Sequence, residues 1–191
     1  MGKKRVFIIH GWDFNPDMHW YPWLKTELEK RGIFVKVPIM KDPAEPKIKD
    51  WVEYISKLVG DHYPDCYLVG HSIGCQAILR YLAGLDKGQT VAGTVLVAPW
   101  LHLKNLETEK EKEIAKPWLT HVNLDVAKKH VDRSVAIFSD NDKWVPLEDM
   151  GTFKSQLGPK VVIEHNKGHF MADDGVKELP SALNALLHLI K

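Results

Sequence analysis

The segment from Tyr67 to Ala77 constrains the fold of this chain more than any other. An apolar run that ends at Val69 is followed by Gly70-His71-Ser72-Ile73-Gly74, after which apolar residues recur at helical spacing. This order predicts a strand, a sharp turn and a helix. Such a turn can expose a serine hydroxyl as a nucleophile, and the two glycines relieve the crowding that the turn creates. Ser72 is therefore a candidate nucleophile, and the alternative is an ordinary turn with a serine near a helix start.

Strands and helices alternate along the rest of the chain. Strands are predicted at residues 5–9, 33–40, 91–98, 134–138 and 160–164, and most of them are continuous apolar runs. Helices are predicted at residues 16–32, 48–60, 147–157 and 176–190, the first of them capped by Asn15 with Pro16 as its first residue. The alternation predicts an α/β fold, with a compact, mostly parallel sheet and helices on both faces. Ligands of such sheets bind beyond the carboxyl ends of the strands.

Composition narrows the classes of function. The chain has 191 residues, which suits a single domain over residues 1–191. Its 26 Lys and Arg against 25 Asp and Glu leave a net charge of +1, so we expect neither nucleic acid nor a membrane as a partner. Cys66 and Cys75 are too few for a disulfide framework, and the apolar run at residues 6–9 is too short for a signal peptide. We expect a soluble cytoplasmic protein, either a monomer or a small homo-oligomer.

Two later loops supply the partners that a catalytic serine needs, namely a base that accepts its proton and a carboxylate that orients the base. Of the ten histidines, only His169 follows a glycine in a loop after the final predicted strand. The loop after residues 134–138 contains Asp140 and Asp142. Asp142 is favoured because it lies further past the strand, and Asp140 is the alternative. Either carboxylate could instead cap the helix that follows.

The remaining candidates for the site lie in other strand-end loops. Serine hydrolases built on parallel sheets stabilise an oxyanion with backbone N–H groups from the loop after an early strand and from the residue after the nucleophile, here Trp12 and Ile73. A plain strand-ending turn is the alternative at His10-Gly11. Substrate contacts are predicted for some of His19, Trp20, Trp100, Trp144 and Phe170, although most tryptophans belong to a core. We find no zinc-binding spacing and no phosphate-binding glycine motif, so neither a metal nor another cofactor is expected.

Residues 101–131 form the least regular part of the chain. Alternating charges crowd residues 103–116, Pro117 interrupts them, and Asn123 is predicted to cap a short helix. We interpret this stretch as an insertion beside the site. It is either a solvated face or a gate for the substrate.

Six motifs carry a resemblance to a known family over nearly the whole length of the chain. They are His10-Gly11, His19-Trp20-Tyr21-Pro22-Trp23-Leu24, Pro38-x-Met40-x-x-Pro43-x-x-Pro46 with Trp51, Gly70-His71-Ser72-x-Gly74, Val95-Leu96-Val97 and Gly168-His169-Phe170. With them the chain resembles the small serine hydrolases that include retinoblastoma-binding protein 9 and many bacterial relatives.

The resemblance implies an α/β-hydrolase fold that lacks the first strands of the larger fold. It also implies the chain order Ser, Asp, His of that fold, which places the catalytic roles on Ser72, Asp142 and His169. The acidic loop of the family usually has two adjacent acids followed by proline. Here the run is Asp140-Asn141-Asp142-Lys143, which departs from that pattern, and Pro146 follows Asp142 four places on.

Together these features predict a serine hydrolase that cleaves a small carboxylic ester, amide or thioester through an acyl-enzyme on Ser72. The alternative is a protein-interaction module that keeps the fold with little or no catalysis. The Leu-x-Cys-x-Glu motif of pocket-protein ligands is absent, because Cys66 is preceded two places earlier by Pro64 and Cys75 by Ile73.

Overall fold

The computed structural model describes residues 4–61 and 63–191, and within these residues the strands form one parallel sheet. The strands are β1 (Arg5–Ile9), β2 (Phe34–Lys36), β3 (Cys66–His71), β4 (Gly93–Val97), β5 (Ser134–Ser139) and β6 (Lys160–Glu164). Their order in the sheet is β2-β1-β3-β4-β5-β6. The chain passes from β1 to β2 at one edge of the sheet. It then crosses back to β3 on the other side of β1, and β4, β5 and β6 follow in order toward the opposite edge. The boundary between β1 and β3 is therefore the topological switch point, where such sheets bind ligands.

Seven helices connect the strands of the described residues. They are α1 (Tyr21–Glu29), α2 (Ile48–Val59), α3 (Ile73–Ala83), α4 (Glu109–Ala115), α5 (Leu124–Lys128), α6 (Asp149–Thr152), which continues in wider turns through Phe153–Leu157, and α7 (Pro180–Ile190). Helix α1 packs with α7, whereas α3 packs with α2 and α5. Because parallel crossovers are right-handed, the reversal at the switch point places these two groups on opposite faces. The predicted α/β fold class is confirmed.

The central strands β3 and β4 are buried at every residue, which explains their continuous apolar sequences. Burial of each large apolar side chain contributes roughly 1.5–3 kcal/mol, so this core supplies the main driving force for folding. The edge strand β6 is only partly buried. None of the helices within the described residues is both long and apolar enough to cross a bilayer.

Three element boundaries differ by four residues or more from the sequence-based prediction. Helix α1 begins at Tyr21, because Asn15 does not cap it: the Asn15 side chain accepts the N–H of Asp17 at 2.9 Å and closes a separate turn. Strand β2 ends at Lys36, before Pro38, which has no N–H to donate to a neighbouring strand. Helix α7 begins only at Pro180, whose fixed φ suits a first helical turn.

The charged insertion forms two short helices, each capped at its start, and of the two caps only that of Asn123 was predicted. Thr108 and Glu111 form a capping box at the start of α4, and the Asn123 side chain accepts the N–H of Val126 at the start of α5. The turn between the helices is anchored by the buried Trp118, whose indole N–H donates to the carbonyl of Pro46 at 3.0 Å. The insertion therefore packs onto the carboxyl-end loops of the sheet.

Candidate active site

Ser72 occupies the turn between β3 and α3 in a backbone conformation that is unfavourable for a non-glycine residue, with φ 53° and ψ −119°. Its N–H donates to the carbonyl of Val97 at 2.9 Å, which holds the turn against β4. The flanking glycines are required by close contacts. A Cβ at Gly70 would lie 2.8 Å from Cys75 Cα, and a Cβ at Gly74 would lie 2.3 Å from the carbonyl oxygen of Ile9. The Gly-x-Ser-x-Gly pattern thus follows from packing against β1 and α3.

His169 lies in the loop after β6 and is hydrogen-bonded to Asp142, in the loop after β5. Its Nδ1 lies 2.7 Å from Asp142 Oδ2, and only 6% and 5% of the two residues are exposed. The second carboxylate oxygen accepts the N–H groups of Trp144 at 2.9 Å and Val145 at 3.0 Å. A carboxylate oxygen only accepts, so Nδ1 carries a proton and Nε2 is left to act as the base.

Ser72 and His169 line one cavity, which brings the two predicted groups together at the carboxyl ends of β3 and β6. Within residues 4–61 and 63–191, Ser72 Oγ makes no hydrogen bond, so the serine and His169 are not hydrogen-bonded to each other in this structure. Catalytic hydrogen bonds of this type often close only when substrate binds.

Asp140, the alternative acid, is bonded elsewhere. Its Oδ2 lies 2.5 Å from His165 Nδ1, and its Oδ1 accepts the N–H of Asn166 at 2.9 Å. These bonds hold its pKa below the usual value, the bond from the Asn166 N–H contributing most. Asp142 alone of the two aspartates contacts His169.

Four successive side chains of the acid loop, defined as residues 139–142, bind four successive residues of the base loop, defined as residues 166–172. The pairs are Ser139 Oγ with the Lys167 N–H (3.1 Å), Asp140 Oδ1 with the Asn166 N–H (2.9 Å), Asn141 Oδ1 with the Gly168 N–H (2.8 Å) and Asp142 Oδ2 with His169 Nδ1 (2.7 Å). Sequence reasoning missed Ser139 and Asn141. Their contribution explains why an asparagine can stand inside the acidic run.

The base loop has an unusual backbone that a second carboxylate stabilises. Positive φ angles occur at Asn166 (56°), Gly168 (52°) and Phe170 (58°). Asp174 Oδ2 accepts the N–H groups of His169 at 2.9 Å and of Met171 at 3.1 Å. A Cβ on Gly168 would lie 2.2 Å from Asp174 Oδ1, so the loop wraps around this carboxylate. Asp174 was also missed, because no local sequence signal marks it as a partner of the base loop.

The two predicted oxyanion donors have N–H groups without an acceptor in the described part of the chain. The neighbouring N–H groups after β1 are all occupied: Gly11 by Tyr21 OH (3.2 Å), Asp13 by the Pro43 carbonyl (2.8 Å) and Phe14 by the Gly11 carbonyl (3.4 Å). Trp12 lies between them, and Ile73 begins α3, where a first-turn amide has no partner within the helix. Both residues line the cavity together with Ser72.

The cavity has a volume of about 410 Å³ and mostly apolar walls. It is lined by Trp12, Asp13, Phe14, Ala44, Ser72, Ile73, Trp100, Leu103, Leu106, Thr108, Lys110, Glu111, Ile114, Trp144, His169 and Met171. Two of the charged residues are already paired, Lys110 with Glu45 at 2.8 Å and Glu111 within the capping box. Six lining residues come from residues 103–114 of the insertion, so this segment forms one wall of the cavity.

The predicted substrate-contact residues divide into two groups. Trp100 and Trp144 line the cavity. Trp20 and Phe170 do not line the cavity, because these fully buried apolar side chains complete the core beneath the strand ends. His19 also lies outside the cavity wall, and its Nδ1 accepts the N–H of Ala172 in the base loop at 3.0 Å.

Burial controls the protonation of several side chains around the site. It lowers the pKa values of His10, His19 and His71, and for His71 the neighbouring His169 lowers the pKa further. These histidines are therefore neutral at pH 7. Burial also raises the pKa of Cys66 to about 12, so its thiol does not compete with Ser72 as a nucleophile.

Metal-ligating side chains do not cluster in the part of the chain that the structure describes, since no three His, Cys, Asp or Glu residues are placed to share an ion. The cavity groups suited to act on a substrate are Ser72 Oγ, His169 and the backbone N–H groups of Trp12 and Ile73. This set matches acyl transfer by a serine nucleophile.

Comparison with known proteins shows the family of this chain. Residues 6–188 match the family model described as serine hydrolase. The chain is also 32% identical over 184 residues to YdeN of Bacillus subtilis, a protein that carries the name of a hydrolase, and the match covers 96% of this chain and 94% of YdeN.

Two solved structures show the same fold. The crystal structure of the B. subtilis ydeN gene product superposes with a TM-score of 0.87 at 27% identity and covers 98% of both chains. Est1E of Butyrivibrio proteoclasticus, solved with ferulic acid bound, superposes with a TM-score of 0.73 at 15% identity and covers 98% of this chain and 89% of its own.

Proposed function

We propose that this chain, which belongs to the serine hydrolase family, cleaves a small carboxylic ester, amide or thioester through an acyl-enzyme on Ser72. The observation that carries the proposal is the buried His169–Asp142 pair, which opens onto the same cavity as the strained Ser72. A carboxylate is costly to bury, and here it is supported by hydrogen bonds on both of its oxygens.

Acylation begins when His169 Nε2 takes the proton of Ser72 Oγ. The oxygen attacks the carbonyl carbon of the substrate, and the carbonyl π electrons move onto its oxygen, which becomes an oxyanion. The N–H groups of Trp12 and Ile73 stabilise that charge, and removal of one such donor costs roughly 10²–10³ in rate. Collapse of the intermediate breaks the bond to the leaving group, which receives the proton from the imidazolium.

Deacylation repeats the same steps with water as the nucleophile. His169 takes a proton from water, the hydroxide oxygen attacks the acyl carbon, and the bond to Ser72 Oγ breaks as His169 returns the proton to the serine. Asp142 stabilises the imidazolium that forms in both halves. No oxidant or reductant is needed, and the products are a carboxylic acid and an alcohol, amine or thiol.

The cavity favours an acyl or leaving group without negative charge. Its walls are formed mainly by tryptophan, phenylalanine, leucine and isoleucine side chains, and its one lysine, Lys110, is already paired with Glu45. Binding of an anionic substrate group in such a wall would leave that charge without a cationic partner.

Hydrolysis of p-nitrophenyl esters tests the function. We expect the wild type to hydrolyse uncharged acyl esters, with a higher kcat/KM for butyrate than for the charged hemisuccinate. Ser72→Ala should lose the activity and still fold, and Ser155→Ala, a serine substitution at an exposed helical position, should keep it. A folded wild type without activity on any ester, amide or thioester would favour the interaction module instead.

A further inference from the structure

Behind the cavity, a buried chain of hydrogen bonds joins α1 to the base loop. Tyr21 OH lies 2.6 Å from His71 Nδ1, and His71 Nε2 lies 2.8 Å from the backbone carbonyl oxygen of His169. Tyr21 OH also accepts the N–H of Gly11 at 3.2 Å. Tyr21 and His71 are both fully buried, and neither lines the cavity.

The acceptor groups determine which atom donates the proton in each of these hydrogen bonds. A carbonyl oxygen only accepts, so His71 Nε2 carries the proton that is donated to His169. His71 Nδ1 is then the acceptor of a neutral imidazole, and the Tyr21 hydroxyl donates its proton to it. The remaining lone pair of that hydroxyl receives the Gly11 N–H. Each polar group therefore has a partner in this one arrangement.

The two ends of this series of hydrogen bonds lie at the two parts of the site that are proposed to act on the substrate. Gly11 precedes Trp12, the proposed oxyanion donor, and the carbonyl at the other end belongs to His169, the proposed base. Aromatic rings enclose His71, with the Phe14 centroid at 5.5 Å and the Trp20 centroid at 5.6 Å. His71 has little freedom to move within this enclosure.

We propose that Tyr21 and His71 are positioning residues. They hold the oxyanion loop, defined as residues 10–14 after β1, and the base His169 in one relative position through the bonds to Gly11 and to the His169 carbonyl. This inference rests on the proposed serine hydrolase function. Neither residue contacts substrate, and each acts through the residue to which it is bonded.

Tyr21→Phe isolates the hydroxyl, because it keeps the ring and its packing. Misplacement of reacting groups by about 1 Å can cost up to about 10²-fold in rate, so we expect kcat to fall by roughly 10- to 100-fold. KM should stay within about twofold of the wild type, because the cavity wall is unchanged. Tyr81→Phe is the matched control: its hydroxyl is also buried but has no partner among the residues that the structure describes, and it lies on α3 outside the cavity wall.

A second measurement needs no turnover. ¹⁵N-edited NMR of the histidine side chains in the wild type should show His71 as a neutral imidazole with its proton on Nε2. A proton on Nδ1 would overturn the proposal even if Tyr21→Phe failed to fold. Equal kcat values for a folded Tyr21→Phe and for Tyr81→Phe would also overturn it. Failure of the proposed serine hydrolase function gives a different result, namely a wild type that neither hydrolyses esters nor reacts with a fluorophosphonate.

Discussion

Asp142 illustrates how much of the proposed chemistry depends on single atoms. Its Oδ1 is held by two backbone N–H groups, so its Oδ2 is fixed in direction toward His169 Nδ1. An asparagine at this position would keep the size of the side chain and lose its charge. It could also turn an N–H toward the imidazole and select the wrong tautomer.

We therefore expect Asp142→Asn to lower kcat/KM by up to about 10⁴. Asp140→Asn is the matched control and should change kcat/KM much less, because its carboxylate binds His165 and the Asn166 N–H instead of His169. Steady-state kinetics on one p-nitrophenyl ester measures both. Equal losses in the two variants, or a larger loss at Asp140, would show that the other aspartate orients the base.

A second prediction at this scale concerns Gly74. Its replacement by alanine would place a Cβ 2.3 Å from the Ile9 carbonyl oxygen and 2.7 Å from that of His10, so the turn or β1 must shift. Such overpacking should reduce the free energy of unfolding by about 1–3 kcal/mol and disturb the proposed oxyanion loop. Gly151→Ala, in α6 with no atom within 4 Å of the added Cβ, should instead stabilise the protein by about 0.4–1 kcal/mol. Urea unfolding measures the free energy of unfolding of both variants. Equal values for the two variants would contradict the packing explanation.

Among the elements, the first part of the insertion is held in place by a buried carboxylate of α6. Asp149 Oδ2 accepts the N–H groups of Leu101 at 2.6 Å and His102 at 2.8 Å, and its Oδ1 lies 2.6 Å from His102 Nδ1. The segment that follows contributes Leu103 and Leu106 to the cavity wall. Helix α6 thus fixes a wall of the cavity from outside it.

Asp149→Ala should release this wall. Loss of the acceptor leaves two partly buried N–H groups unpaired, which should cost about 1–3 kcal/mol of stability. For a protein of this size the melting temperature should fall by roughly 2–4 °C per kcal/mol. We expect KM for an apolar ester to rise more than kcat falls, since Ser72 and His169 are not touched. The exposed Asp132→Ala, near the amino end of β5, is the control, and a KM equal to that of the control would show that the wall does not depend on Asp149.

At the scale of the whole molecule, buried neutral histidines link stability to pH. The folded pKa values of His10, His19 and His71 lie below the unfolded value of about 6.5, so below that pH the unfolded chain binds protons that the native protein refuses. Their stabilisation is complete above about pH 6.5 and is lost as pH falls toward the folded pKa values. In that pH window, each of the two fully buried histidines, His10 and His71, should lower the free energy of unfolding by up to about 1.4 kcal/mol for each pH unit of acidification.

Urea unfolding at several values between about pH 7.5 and pH 5 tests this expectation, since carboxylates titrate mostly below that range. We expect the free energy of unfolding to decrease on acidification. A free energy of unfolding that is constant or rises toward pH 5 would contradict the neutral state of the buried histidines.

The sequence predicted the central strands and the turn at Ser72 because these features depend on local patterns. Continuous apolar runs mark strands buried on both faces, and the two glycines mark a close approach of backbones. The order of Ser72, Asp142 and His169, together with their strand-end positions, was sufficient to nominate the three side chains, two of which the structure joins by a hydrogen bond.

Contacts between distant segments escaped prediction. Asn141 and Asp174 act on the base loop through bonds whose partners cannot be inferred from their neighbours in sequence. Trp20 and Phe170 follow the same pattern as Trp100 and Trp144, and only the packing of α1 and the base loop decides which of these rings line the cavity. Asn15 has the sequence of a helix cap, but its side chain accepts the N–H of Asp17 and closes a separate turn, and α1 begins only at Tyr21.

The central claim is that Ser72 is an activated nucleophile, and covalent labelling tests it most directly. The wild type would be treated with a fluorophosphonate and analysed by intact-protein mass spectrometry and peptide mapping. We expect one phosphonyl group per chain, attached to Ser72 Oγ with loss of fluoride, no adduct in Ser72→Ala and slower labelling in Asp142→Asn. An unlabelled, folded wild type, or an adduct on another residue at the same rate in Ser72→Ala, would contradict the claim.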